Sequence, residues 1–255
     1  MTAVPIIRRA TLHLPSWPKA TPPLRIAFLA DIHLGNRAMT PARLTDIVAR
    51  IDAEHPDLIL IAGDFVPGHD ATGIGPVATA LIEPLKRLRA PLGVVAVLGN
   101  HDCWTDPAVV RAALAHSGIT ALENSSQQRG PVTVVGVADG FSGHANSAAA
   151  LASARALGGI PIILSHTPNV VHGLQSLAPV VLAGHTHCGQ IVIPGFGSIA
   201  GFSPRLQRSL YDPRYRCGII RDTGRFVVVT AGLGAGTVPI RIAAPPDWWL
   251  LTLTR

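Results

Sequence analysis

The chain has 255 residues, which fits one large domain whose core needs no disulfide staples. It is 48% hydrophobic but holds no uninterrupted apolar run of about 18 residues, so no membrane-spanning helix is predicted. Its 21 Lys and Arg against 15 Asp and Glu give a net charge of +6, which suits phosphorylated metabolites, nucleic acid or acidic lipid headgroups, or is simply a soluble basic surface.

The opening MTAVPIIRRATLHLPSWP has no apolar core and no small-residue cleavage site, so it does not read as a secretory signal; the expected location is cytoplasmic. Cys103, Cys188 and Cys217 are odd in number and far apart, which predicts free thiols in a reducing compartment. Residues 1–23 read as an N-terminal extension with one short strand, TLHL, and residues 24–255 as a single domain. From Leu24 strands and helices alternate. Thr40 is placed to cap a helix with Pro41 in its first turn, and Leu44, Ile47, Val48 and Ile51 then share one helical face. DLILIA is apolar throughout, as a strand buried on both faces would be.

A second helix is expected over 76–89, broken at Pro84, and a third from Asp106–Pro107. VTVVGVA, PIIL and PVVLA read as further strands, with an Ala-rich helix near 145–157 and a short helix after Pro168. The last third, with IVIP, CGIIR, RFVVVTA and WWLLTL, suggests antiparallel strands. The fold class is α/β, a four-layer αββα sandwich of two mixed sheets flanked by helices.

Five apolar runs end in metal-ligand residue types. LRIAFLA precedes Asp31 and His33, DLILIAG precedes Asp64, GVVAVLG precedes Asn100 and His101, PIILS precedes His166, and PVVLAG precedes His185 and His187. Open α/β sheets place active sites at such carboxyl ends. Asp31, His33, Asp64, Asn100, His166, His185 and His187 offer O and N donors without thiolates, a set suited to Mn, Fe, Zn or similar divalent ions. Two ions about 3.5–4 Å apart form a clamp for displacement at phosphorus, with a carboxylate as the natural bridge. His101 need not be a ligand and could protonate a leaving alkoxide, with Asp102 either orienting or charge-stabilising its imidazole or serving as a helix-entry or surface carboxylate.

Asp31-Ile-His33, Gly63-Asp64, Gly99-Asn100-His101-Asp102, Ser165-His166 and Gly184-His185-Thr186-His187 resemble the ordered motifs of the calcineurin-like metallophosphoesterases, over about residues 24–190. The resemblance implies one metal held by Asp31, His33, Asp64 and His187, and another by Asp64, Asn100, His166 and His185. Asp64 would bridge them, a hydroxide generated there would attack phosphorus, and His101 would be the leaving-group acid. LGNHDCW, SHTPNVV, GHTHCGQIVIPGFG and the C-terminal AGLGAGTVPIRIAAPPDWWLLTL are similar to a bacterial, membrane-associated phosphodiesterase-like branch. That branch implies a phosphodiester or pyrophosphate substrate, small or lipid-linked, such as UDP-diacylglucosamine. Many of its members carry a membrane segment or export signal, so membrane contact here would be peripheral, on the inner face. The branch usually has Gly where Cys188 stands; the thiol reads as a small buried side chain, or as a group that tunes the metals.

Arg205, Arg208, Arg214 and Arg216 lie with Tyr211 and Tyr215 in a segment that reads either as a substrate grip, guanidiniums on phosphate and rings on a base, or as a solvated basic loop. His144 faces the site in the first reading and solvent in the second. Trp17, Trp248 and Trp249 suit either a membrane interface or the core, and the strand pattern favours the core for the last two. Two competing functions remain. A nuclease would need a basic, aromatic-lined track, which the sequence lacks, so nucleic acid is the less favoured partner. A noncatalytic scaffold would usually have lost ligands, and all seven are present.

Overall fold

The computed structural model describes residues 3–68, 71–174, 178–193, 195–199, 201–203, 208–222, 224–236 and 238–255. In chain order the strands are β1 (Ile6–His13), β2 (Leu24–Leu29), β3 (Leu58–Ala62), β4 (Val94–Val97), β5 (Thr120–Ala121), β6 (Ser125–Arg129), β7 (Val132–Val137), β8 (Ile160–Ser165), β9 (Val180–Ala183), β10 (Val192–Ile193), β11 (Gly197–Ser198), β12 (Phe202–Ser203), β13 (Arg208–Ser209), β14 (Gly218–Asp222), β15 (Arg225–Val229) and β16 (Asp247–Thr254). The helices are α1 (Pro41–Asp52), α2 (Ile74–Leu85), α3 (Asn100–Thr105), α4 (Pro107–His116) and α5 (Ser147–Ala154).

Two six-stranded mixed sheets, ordered β1-β16-β2-β3-β4-β5 and β14-β15-β9-β8-β7-β6, pack face to face. The continuous apolar runs are explained by this layering. In β3, Leu58 and Leu60 enter the core between the sheets, while Ile59 and Ile61 face the layer of α1, α2 and α4. In β8, Ile162 and Leu164 face the first sheet, and Ile163 faces α5 and the turn Pro168–Gly173. Helices thus cover both outer faces, and the four-layer α/β sandwich is the observed fold.

The first helix follows its sequence signals closely. Thr40 caps α1 by accepting from the Arg43 N–H at 3.2 Å, and Leu44, Ile47, Val48 and Ile51 are its buried residues. Asp106 caps α4 in the same manner. Helix α2 begins two residues earlier than expected and stops just after Pro84, which lies in its last turn.

Four expectations need correction. The segment before Leu24 holds more than a short TLHL strand: β1 starts at Ile6 and pairs in parallel with β16 along its whole length. The last third is not wholly antiparallel, because β15 pairs in parallel with β9. Helix α3 was not anticipated; its six residues are too few to show a period. The expectation of three free thiols fails as well, since Cys188 and Cys217 form a disulfide with Cα atoms 4.7 Å apart. The chain leaves β9 through a tight turn at Cys188 and returns beside it, where the Thr186 hydroxyl donates to the Arg216 carbonyl at 2.7 Å. Sequence distance does not reveal such a return. The inference of a reducing compartment rested on free thiols, and the bridge removes that ground. Trp17, Trp248 and Trp249 are all buried, so none meets a membrane interface. Among the described residues, no helix is long and apolar enough to cross a membrane.

The bridge predicts a thiol count. Denatured without reductant, the chain should expose one reactive thiol, that of Cys103, and three after reduction. Three thiols before reduction would remove the bridge.

Candidate metal centre

Strands from both sheets deliver the candidate ligands. Asp31 and His33 follow β2, Asp64 follows β3, Asn100 opens α3 after β4, His166 directly follows β8, and His185 and His187 follow β9. Their donor atoms converge. Asp31 Oδ1 lies 3.5 Å from His187 Nε2, and His187 Nε2 lies 3.2 Å from His33 Nε2. His166 Nε2 lies 3.1 Å from Asn100 Oδ1 and 3.2 Å from His185 Nδ1. Asp64 Oδ2 joins the two groups, at 3.5 Å from His33 Nε2 and 3.2 Å from His166 Nε2.

These spacings fit a metal. Donors bound about 2.0–2.2 Å from one divalent ion stand about 3–3.5 Å from each other. The candidate ligand atoms converge on common points in a buried pocket, where the carboxylates need a positive charge to make the arrangement favourable. Among the described residues, three groups of carboxylates and imidazoles are close enough to hold an ion: Asp31, His33 and His187; Asp31, Asp64 and His166; and His33, Asp64 and His101.

Burial and charge set the protonation of the cluster. Burial alone pushes the Asp64 carboxyl up, but His166, His101 and His33 together hold it well below the usual carboxylate range. Burial raises Asp31 to about 7, against the pull of His166. Burial would lower His166, yet Asp64 and Asp31 keep its imidazole well above its ordinary value. Burial brings His33 down to about 3 and His185 to about 4. His187 is held well below its ordinary value by burial and then by Arg241. A proton on His166 thus does between the carboxylates what a cation would do. The His166 Nδ1–H donates to the Ala62 carbonyl at 2.6 Å, which aims Nε2 at the cluster.

The main chain is strained to achieve this. Asp31, His33, Asp64, His185 and His187 all have positive φ, between 49° and 66°. Such non-glycine conformations concentrate at functional sites. Close approach also demands glycine: a Cβ at Gly99 would sit 2.2 Å from Asp64 Oδ1, and one at Gly184 would sit 2.6 Å from Asp31 Oδ2.

With that geometry in place, similarity to known proteins is informative. A model of the calcineurin-like phosphoesterase family matches residues 24–189. The chain belongs to this family. It is thereby placed among the metal-dependent phosphoric ester hydrolases. It is 27% identical to the uncharacterized metallophosphoesterase YkuE of Bacillus subtilis over 238 residues, covering 90% of this chain and 78% of that one. It is 27% identical to the phosphodiesterase YaeI of Escherichia coli over 240 residues, covering 91% and 82%. A transmembrane protein with a metallophosphoesterase domain from Danio rerio is 29% identical over 245 residues; 89% of this chain is covered, but only 52% of that relative. The chain therefore spans about half the length of the Danio rerio relative.

The remaining site expectations for this phosphoesterase fare unevenly. His101 stands beside the cluster, its ring centroid 4.9 Å from that of His33. Its Nδ1 is within 3.1 Å of the Pro67 carbonyl and 3.0 Å of the Gly68 carbonyl, so those carbonyls fix the imidazole. Asp102 is fully buried and accepts from Phe65 N at 2.8 Å, Val66 N at 3.1 Å and Gly99 N at 2.9 Å. It ties the loop after β3 to the start of α3.

Tyr211 and Tyr215 are buried, so neither ring is free to stack a base. Arg214 pairs with Asp212 at 2.7 Å and lies over Tyr215, and the Arg216 carbonyl holds Thr186. His144 is exposed, with Nδ1 2.9 Å from the Ser142 hydroxyl in its own loop. Arg205 and the side chain of Arg208 lie outside the described residues. Sequence reasoning missed Arg241, whose guanidinium reaches His187 Nδ1 at 3.0 Å. Its sequence setting, VPIRIAA, gives no sign of this.

Two expectations for experiment follow from this geometry. Asp102→Ala strands three buried N–H groups and should cost about 2–4 kcal/mol of stability, read by denaturant unfolding. A loss under about 0.5 kcal/mol would deny the bracing role. An entering ion must also displace the Asp31 proton, present below about pH 7, and the His166 proton, held to higher pH still. Divalent-ion affinity should therefore rise with pH through neutrality, about tenfold per unit for each proton displaced. Calorimetric titration with Mn²⁺ would show it, and a flat profile would contradict it.

Proposed function

We propose that the chain hydrolyses phosphodiesters or pyrophosphates with two divalent ions. The observation that carries this reading is the position of Asp64 Oδ2, within 3.5 Å of both His33 Nε2 and His166 Nε2. Asp31, His33, Asp64 and His187 would hold one ion. Asp64, Asn100, His166 and His185 would hold the other. When bound, such a pair supplies the attacking hydroxide and polarises the phosphoryl oxygens.

The protein's own part is positioning and proton transfer. The Asp64 main chain sits in a strained turn whose Oδ1 accepts from His101 N at 2.9 Å, so bridge and acid are fixed to each other. The carbonyls of Pro67 and Gly68 engage His101 Nδ1, and Nε2 would give its proton to the departing oxygen. The name of the Escherichia coli relative supports diester chemistry. A small or lipid-linked nucleotide such as UDP-diacylglucosamine, met from a peripheral position on a membrane, is the substrate class we favour. A nuclease is less favoured, because the buried Tyr211 and Tyr215 offer no stacking surface. A noncatalytic scaffold is disfavoured by the complete donor set.

The decisive assay is hydrolysis of bis-p-nitrophenyl phosphate beside p-nitrophenyl phosphate, with metal content measured, for wild type and Asp64→Asn. Wild type should turn over the diester and the variant should not, with less metal bound. Two ions bound without any turnover would sink the reading. His101→Ala should keep its metals and lose about 10²–10⁴-fold on diesters with poor leaving groups, and less on nitrophenyl esters. Equal turnover on poor leaving groups would take His101 out of its role.

A further inference from the structure

The imidazoles of the candidate centre continue into a second set of rings. Trp104 follows His101 by one turn on the same face of α3, with ring centroids 5.6 Å apart. The Phe141 ring lies 5.7 Å from Trp104 and 5.0 Å from His185. Four rings thus run from the candidate acid to a candidate ligand. They cross from one sheet to the other, because Trp104 follows β4 and Phe141 follows β7. The three contacts are tilted at 44° to 59°, so no ring covers the full face of the next. Trp104 is 39% exposed, whereas Trp17 and Trp248 are each 1% exposed. An indole left in water at the rim of a buried cluster gains by covering the apolar surface of whatever enters.

Both rings are held in place by the fold itself. Asp102 collects main-chain N–H groups at the start of α3, and Thr105 Oγ1 donates to the His101 carbonyl at 2.7 Å. The Phe141 loop is closed by Asp139, whose side chain accepts from Ser142 N and whose carbonyl accepts from His144 N at 3.0 Å. Asn124, just before β6, fastens the same loop: its Oδ1 accepts from Ala138 N and Asn146 N, and its Nδ2 donates to the His144 carbonyl. A surface ordered in advance loses less entropy on binding.

We propose that Trp104 and Phe141 form the wall against which the leaving group lies, and that they select phosphoesters carrying an aromatic ring on the departing oxygen. The assignment rests on the phosphoesterase reading, because it takes His101 as the acid: a group bonded to the oxygen that His101 protonates lies beside Trp104. A flat ring makes offset or edge contacts with both side chains, whereas a saturated group gains only buried area. The wall is one pair of rings wide, so it suits a single aryl or heteroaryl group rather than a strand of nucleic acid. The stacking expected of Tyr211 and Tyr215, whose rings are buried, falls instead to this pair.

The test compares methyl phenyl phosphate with methyl hexafluoroisopropyl phosphate, whose leaving groups are similar in acidity while only one is aromatic. Wild type should prefer the phenyl ester. Trp104→Ala should lower the ratio of the two kcat/KM values about fivefold or more, mainly by raising KM for the phenyl ester, and Trp104→Phe should restore most of it. Phe141→Leu should lower the ratio in the same direction. An unchanged ratio in both truncated variants overturns the proposal, and so does an equal loss on both esters, which would leave Trp104 only packing His101. Phenylphosphonate and methylphosphonate, which contain no ester bond, give a readout without turnover. Calorimetry on the Mn²⁺-loaded protein should show tighter binding of the phenyl compound, and Trp104→Ala should erase the difference. Turnover of bis-p-nitrophenyl phosphate with neither preference removes the wall alone. Tighter phenylphosphonate binding with no turnover of any ester removes the phosphoesterase reading, and the leaving-group role with it.

Discussion

The structure depends on how Asp64, a carboxylate withdrawn almost wholly from water, is kept charged. An unpaired carboxylate there would cost several kcal/mol. The cost is offset by His166 and His33 on one oxygen and by the His101 N–H on the other. Those partners come from different strands in both sheets, so the sheets must end close together. The interlayer core of Leu58, Leu60, Ile162, Leu164 and Leu182 holds them there. Local strain follows from the same demand: the chain must turn sharply just beyond each strand, and positive φ at five candidate ligands is the result. Glycines at 99 and 184 are the clearance this packing needs.

The buried carboxylates divide the labour. Asp64 and Asp31 point into the cluster, whereas Asp102 and Asp247 face away and bind main chain. Asp102 collects three N–H groups from two loops. Asp247 accepts from Thr230 Oγ1 and Ala231 N and also pairs with Arg8. It thereby fastens the loop after β15, which lies against Asp31, to β16 and the edge strand β1. Buried carboxylates of similar appearance in the sequence therefore serve different ends, Asp31 and Asp64 in the cluster and Asp102 and Asp247 in loop geometry.

Legibility in the sequence follows this division. The candidate ligands could be read because strand ends are marked by apolar runs and polar types there are costly unless used. Helix α1 could be read because its cap and its buried face are local patterns. What could not be read depends on chain return. Cys188 and Cys217 meet only because a loop of Gly, Pro and Arg closes on itself, and β1 finds β16 from the opposite end of the chain. The bonds from Asp102 to main-chain N–H groups could not be read either, because they join α3 to a loop that follows a different strand. Tyr211 and Tyr215 looked available because their neighbours are polar, yet both rings turn inward.

Arg241 shows that the two halves of the cluster are not equivalent. At His166 the outer ring nitrogen donates to a carbonyl, the usual support for a ligating imidazole, and the inner nitrogen is made more basic. At His187 the outer nitrogen faces a guanidinium, which can only donate. A neutral ring that accepts there carries its proton on the inner nitrogen, so a cation held by His187 would have to displace that proton and would meet the guanidinium charge beside it. Arg241 is nevertheless fixed there by the carbonyls of Ala231, Gly234 and Ala244. It holds together the loop that closes over Asp31 and the turn that carries His187. The same guanidinium that organises this half of the cluster would thus oppose a metal there, and the asymmetry between His166 and His187 is built into the loop closure itself.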